Sequence, residues 1–297
     1  MKAKGFNLTG VLYTDGQRLI VTGPWNQHGV SEIDATSVTE ITLNRASGFC
    51  DSDVSFLSQF KNVRNIHILG TVQTGLGSLA SLPALDTLSI TPPPNCPIEF
   101  PNIPSLKHCA IEWWNGAKSL LECSSLESLY IRGTKEKDFK FLQQLSLLKT
   151  LTIAQSSIHS LDGLERLTML TKLELILLRT LSTFSQLSDC SNLEELSIYS
   201  CSKFNDVSVL PELTKLRRLT IEIRGNIPSI APLISLPNLE HIDLGGSTII
   251  DDGNLECLLK FPSLKFVNFR NRRHYNLKRG EFYKRRWPNQ DWTNQFD

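Results

Sequence analysis

The chain has 297 residues, 40% of them hydrophobic and 21% charged, an ordinary globular composition that excludes the low-hydrophobicity, high-charge class of disordered chains. A formal net charge of +1 leaves no whole-molecule field to draw the protein onto nucleic acid or an anionic membrane, so any charge argument must be local. Residues 1–10 hold two lysines and lack the apolar run of roughly 7 to 15 residues that a secretory signal needs. Charged residues interrupt every apolar window before it reaches the roughly 18 residues that cross a bilayer, so a soluble, cytoplasmic protein is expected. The seven cysteines, at 50, 96, 109, 123, 190, 201 and 257, form no close cluster, and reduced thiols are expected in place of a disulfide framework.

Residues 1–37 predict an amino-terminal β-hairpin cap. Asp15 and Gly16 lie between the apolar runs Val11 to Tyr13 and Leu19 to Val21, a hairpin signal, and Gly23, Pro24 and Gly29 mark the loop that follows. From residue 38 to about 270 the pattern L-x-x-L-x-L, with apolar replacements, begins at Val38, Val63, Leu85, Leu106, Leu126, Leu148, Leu170, Leu193, Leu216, Leu239 and Leu264. These are eleven units with starts 20 to 25 residues apart. Within each, the alternation at positions 4 and 6, as in Leu151 and Ile153, is the period of a strand. Apolar residues spaced by three lead into each strand, for example Leu161, Leu164, Leu167, Leu170 and Leu173, and three is the period of a 3₁₀ turn. One unit cannot bury its own apolar face, so neighbours must stack and their strands form one parallel sheet.

The repeat resembles the leucine-rich-repeat family, and the triplet spacing is most similar to its short-repeat, internalin-like class. The resemblance implies an α/β solenoid: a horseshoe with a concave parallel sheet of about eleven strands and short 3₁₀ or helical turns on the convex side. The family usually has Asn or Cys at position 9, bonding neighbouring loop backbones. Here that position holds Ala46, Thr71, Trp114, Thr134, Ser156, Cys201, Arg224 and Ser247, among which the small hydroxyls can partly substitute.

Successive strand residues alternate sides, so positions 3, 5, 7 and 8 should face solvent on the concave surface. This set predicts a partner-binding face made of Glu112, Trp113, Tyr130, Arg132, Lys172, Glu174, Glu195, Tyr199, Arg218, Glu222, Asp243 and Arg270, and aromatic and Arg side chains are typical anchors. Of the pair Trp113 and Trp114, one ring is expected to fill position 9 in the shortest repeat. Ile176 and Leu177, apolar at outward positions, fit a protein partner better than a sugar or nucleic acid.

Residues 271–297 predict a basic, aromatic carboxy-terminal cap or tail. From Lys265 onward there are nine Lys or Arg against three Asp or Glu, interleaved with Tyr275, Phe282, Tyr283, Trp287 and Trp292. Rings packed on the last repeat with the cations wet are the favoured reading, and nucleic-acid contact is the weaker one.

No convergent set of titratable groups suggests catalysis. The six His residues are scattered, there is no H-x-x-x-H or C-x-x-C, and neither enzyme activity, metal nor cofactor is expected. Cys109, Cys123 and Cys190 occupy leucine positions and are expected in the core. The mixed-charge, aromatic-bearing face suggests a protein partner and a monomeric binding module, and the resemblance implies most simply an inhibitor or immunity protein that occludes a toxin or enzyme. A structural adaptor and a secreted effector are the alternatives.

Overall fold

The computed structural model describes residues 6–8, 11–14, 17–25 and 33–290, with backbone only for the first two segments. The chain divides into two compact units, Met1–Thr134 and Lys135–Asp297. Asp15, Gly16, Gly29 and Trp292 lie outside the described residues.

In the amino-terminal unit β1 (Phe6–Leu8), β2 (Val11–Thr14) and β3 (Arg18–Val21) pair antiparallel, with Val11 opposite Val21 and Thr14 opposite Arg18. β3 then pairs in parallel with β4 (Glu40–Asn44), and β5 (Asn65–Leu69), β6 (Thr87–Ile90), β7 (His108–Glu112) and β8 (Ser128–Arg132) follow in chain order, all parallel. The carboxy-terminal unit repeats the arrangement with β9 (Thr150–Ala154), β10 (Lys172–Ile176), β11 (Glu195–Tyr199), β12 (Arg218–Glu222), β14 (His241–Leu244) and β16 (Phe266–Phe269). Short strands β13 (Asn226–Ile227) and β15 (Ile249–Ile250) form a separate parallel pair. The eleven strands expected from the repeat are all present, and β3 adds one parallel partner ahead of them.

The strands alternate as their pattern dictates. In β5 the burial runs half-buried, buried, half-buried, buried, half-buried, because Ile66 and Ile68 face the core at 0% exposure while the residues between them face outward. The triplet-spaced residues form 3₁₀ turns, among them Ser55–Gln59, Leu164–Arg166 and Leu210–Glu212. The backbone bonds follow the same step: Leu210 donates to Val207 at 3.1 Å, Leu213 to Leu210 at 2.9 Å and Leu216 to Leu213 at 2.8 Å. A hydrogen bond every third residue puts every third side chain on one side, and Val207, Leu210, Leu213 and Leu216 are all buried. Each such leucine contributes roughly 1.5 to 3 kcal/mol of burial, gained only when the neighbouring repeat covers it.

In several repeats a second link is carried by the residue just before the first leucine. Asn62, Ser105, Asn192, Asn238 and Ser263 each donate a side-chain hydrogen bond to a backbone carbonyl of the preceding repeat, at 2.7 to 2.9 Å. Leu147 and Met169 occupy the same position in two neighbouring repeats and are 48% and 47% exposed.

The position-9 rule needs correction. Thr134 and Cys201 are buried there, and Cys201 Sγ bonds the Leu175 carbonyl at 3.5 Å. Elsewhere the inward slot passes to a neighbour: Val72 and Thr248 fill it from position 10 and Ile223 from position 8, all buried, while Thr71, Arg224 and Ser247 are exposed. An arginine cannot enter an apolar slot without a partner, so the adjacent isoleucine takes it. Ile223 also departs from the outward direction expected of position 8.

At the carboxy terminus the helix α1 (Arg279–Arg286) presents Phe282 and Tyr283 to the last repeat. The Tyr283 hydroxyl accepts from Val267 N at 2.9 Å and donates to Val267 O at 2.8 Å, satisfying main-chain groups of β16. Arg286 donates to the carbonyls of Leu259, Phe261 and Pro262, and Arg272 to those of Ser247 and Thr248. These cations are engaged with main chain of the final repeats.

Candidate binding face

In the amino-terminal unit the expected face residues come together on β7 and β8. Glu112 and Arg132 are register partners of opposite charge, a favourable cross-strand pairing. Tyr130 lies opposite Ala110, whose small side chain leaves the ring uncovered, and Tyr130 is 37% exposed. Trp113 follows β7 directly, donates its backbone N–H to the Arg132 carbonyl at 2.8 Å and is half-buried. In the neighbouring indole, Trp114 Nε1 donates to the Cys96 carbonyl at 3.1 Å, and its ring centroid lies 6.4 Å from that of Phe100. A Cβ at Gly116 would come within 2.5 Å of Trp114 Nε1, so the glycine makes room for the ring. Trp114 is thus the indole anchored to the neighbouring loop, although it is half-buried, as Trp113 is.

In the carboxy-terminal unit position 3 forms a row across the sheet, Thr150, Lys172, Glu195, Arg218, His241 and Phe266, each the register partner of the next. Its charges pair with one another. Glu195 accepts from Arg218 Nη1 at 2.6 Å and lies 3.3 Å from Lys172 Nζ, while Lys172 also reaches Glu174 at 3.3 Å, and Glu174 accepts from the Thr152 hydroxyl at 3.1 Å. Burial pushes the Glu195 carboxyl up, and the bonds from Arg218 and Lys172 more than reverse this, so its pKa falls below the ordinary value. Lys172 is the mirror case: burial lowers it, and Glu174 and Glu195 bring it above the usual ammonium value.

Tyr199 and Glu222 are register partners on β11 and β12, both half-buried. The Glu222 carboxylate lies over Gly245, where a Cβ would meet Oε1 at 2.9 Å. Asp243 accepts from Asn268 at 2.9 Å, and Asn268 accepts from Arg279 at 2.6 Å. Arg270 leaves β16 exposed. Ile176 and Leu177 are half-buried at the end of β10.

Two face residues escaped the sequence reading. His241 stacks on Phe266 with ring centroids 5.6 Å apart, and Phe266 is 42% exposed. The position-3 rule, applied evenly to the last two repeats, would have found both. Burial and the neighbouring Arg218 charge lower the His241 pKa, and its Nδ1 is enclosed without a partner among the described residues.

Three of the thiols are chemically quiet. Cys109, Cys123 and Cys190 are buried and unpaired, and burial pushes Cys123 up to about 11 and Cys190 to about 12, with Cys109 raised further still, so almost no thiolate nucleophile is present at neutral pH. Among the described residues no group of three or more His, Cys, Asp or Glu could hold a metal ion, and no helix is long and apolar enough to cross a membrane.

No family model matches the chain. Solved structures do. An internalin of Listeria monocytogenes is similar over 85% of this chain and 75% of its own, at 20% identity and a TM-score of 0.56. A leucine-rich-repeat protein of Leptospira interrogans is similar over 86% and 72%, at 18% identity and a TM-score of 0.61. A plant peptide hormone receptor in complex with RGF2 is similar over 87% of this chain and 44% of its own, at 18% identity and a TM-score of 0.51. With the consecutive parallel strands and the 3₁₀ turns at triplet-spaced leucines, these likenesses make this chain a leucine-rich-repeat protein by fold.

Proposed function

We propose that the chain is a non-catalytic module that binds another protein through the outward face of its strands. The observation that carries this reading is the character of the outward strand surface in each unit: the amino-terminal unit presents Tyr130 on β8 and Trp113 just after β7, the carboxy-terminal unit presents Tyr199, His241 and Phe266 among paired charges, and aromatic groups on a rigid support are the usual anchors of protein interfaces. The raised thiol pKa values and the mutual pairing of Lys172, Glu174, Glu195 and Arg218 support binding over chemistry. The plant receptor of like fold, in complex with RGF2, adds support for a polypeptide partner.

The narrower form of the reading is an inhibitor or immunity protein, a cytoplasmic monomer that occludes a proteinaceous toxin or an enzyme. Side chains held on hydrogen-bonded strands favour such tight binding because little ordering cost remains at association. The test is affinity capture from native lysate with the full chain, followed by binding and activity measurements on the captured partner. Trp113→Ala and Tyr130→Ala should each weaken binding by about 2 kcal/mol, roughly thirtyfold in Kd, with melting temperatures nearly unchanged. One stoichiometric nanomolar partner whose activity is lost supports the inhibitor, and several weak partners support an adaptor. Loss of folding in either variant would place those rings in the core and remove the anchors.

A further inference from the structure

The strand exits of the carboxy-terminal unit carry a recess outside the charge row described above. Gln155, Ser156, Ser157, Leu177 and Arg179 line an open space of about 360 Å³. Three features of its wall bear on what it holds.

The first is backbone strain. Gln155, Leu177 and Ser200 stand at position 8 of three successive repeats, with φ of 49°, 56° and 54°, in the left-handed region that only glycine enters freely. Gly133 takes the same position in the repeat before them, with φ of 80°. At Leu177 a residue disfavoured in this conformation sits where glycine would serve, with its side chain half in solvent. Each of the three non-glycine residues donates its N–H to a carbonyl of the next repeat, Gln155 to Ile176 at 2.8 Å, Leu177 to Tyr199 at 2.8 Å and Ser200 to Glu222 at 2.7 Å, and this ladder holds the strained backbone in place.

The second is an uncommitted cation. Lys172 and Arg218 on the neighbouring strands are held by Glu174 and Glu195, whereas Arg179 is exposed and pairs with no carboxylate among the described residues. The third is the mixed lining, which joins two serines with the apolar Leu177. A single guanidinium with an apolar neighbour suits a singly charged carboxylate, which it can grip by two parallel bonds. A phosphate dianion would call for more than one cation.

We propose that this recess receives an acidic side chain, Asp or Glu, of a protein partner, with an adjoining apolar side chain of that partner laid on Leu177. The proposal rests on the protein-binding reading and names the chemistry of one contact in it.

The experiment is selection of a displayed library of random dodecapeptides on the immobilised full chain, with the enriched peptides then measured by biolayer interferometry. The enriched sequences should share an acidic residue beside an apolar one. Arg179→Glu should weaken them about tenfold or more, Arg179→Gln should weaken them less, and both variants should melt like the parent because the side chain is exposed. Leu177→Gly should also weaken binding while the melting temperature holds or rises, since glycine relieves the strain. A consensus without Asp or Glu, binding unchanged by Arg179→Glu, or displacement of non-acidic peptides by inorganic phosphate would overturn the proposal. Peptides that bind but ignore Arg179 and Leu177 sink the recess and leave the protein-binding reading standing; the absence of any enriched peptide, together with no captured partner, sinks both.

Discussion

Replacing Thr248 by valine tests how the strand exits are held in place. Thr248 is 3% exposed; its hydroxyl accepts from Ile223 N at 3.0 Å and donates to Ile221 O at 3.0 Å. Valine has almost the same shape, so no cavity opens and the change isolates the hydrogen bonds. The Ile223 amide, itself on a residue 1% exposed, then lies in the core without an acceptor, which costs about 1 to 3 kcal/mol. The added methyl returns less than about 1 kcal/mol of burial, so a net loss of up to about 3 kcal/mol, centred near 1 to 2, is expected from these two terms. At about 2 to 4 °C per kcal/mol for a domain of this size class, urea and thermal unfolding followed by circular dichroism both resolve it. Thr248→Ser keeps the hydroxyl and loses a methyl, so amide hydrogen exchange separates the two effects: Ile223 should lose protection in the valine variant and keep it in the serine variant. A valine variant within about 0.5 kcal/mol of the parent, with Ile223 protection unchanged, would refute the assignment of Thr248 as the bridge between these loops.

Further outcomes follow from the same geometry. Tyr283→Phe removes the hydroxyl that both accepts from and donates to Val267, and should destabilise the carboxy-terminal unit by about 1 to 3 kcal/mol, read as a lowered midpoint in urea. The lowered Glu195 pKa means that its stabilising contribution is present above the unfolded value near 4.3 and is lost as pH falls through the folded value; Glu195→Gln should therefore differ from the parent by at most about 1 kcal/mol at neutral pH, with the difference closing in acid. His241 also has a lowered pKa, so the folded state prefers it neutral: stability is full above the unfolded value near 6.5 and declines as pH drops below it. His241→Gln should remove that decline in urea titrations between about pH 7 and 5, and an unchanged slope would contradict the lowered His241 pKa.

Much of the strand ladder was legible before any coordinates, and for a local reason. Leu148, Leu151 and Ile153 specify their strand and its inner face within six residues, and the triplet at Leu161, Leu164 and Leu167 specifies its turn as directly. The candidate face was legible to the extent that alternation alone decides direction, which places Glu112, Tyr130, Lys172, Glu195 and Arg218 on the outer side. Alternation fails at the strand exits, where the backbone leaves the pleat. There Ile223 turns in from position 8, while Leu177 at the same position stays half-exposed with a left-handed backbone.

By itself the sequence determined the repeat, its period and the identity of the core, because a stack of short units writes its burial pattern into every unit. Tertiary structure decided which side chains meet. Glu195 and Arg218 are 23 residues apart and become partners only through the register of β11 and β12, as His241 and Phe266 do through β14 and β16. The anchoring of Trp114 likewise depends on space beside Gly116 and an acceptor at Cys96. Partners set by the neighbouring repeat cannot be read from one repeat, because a pattern of apolar positions fixes the direction of a side chain but not what stands opposite it.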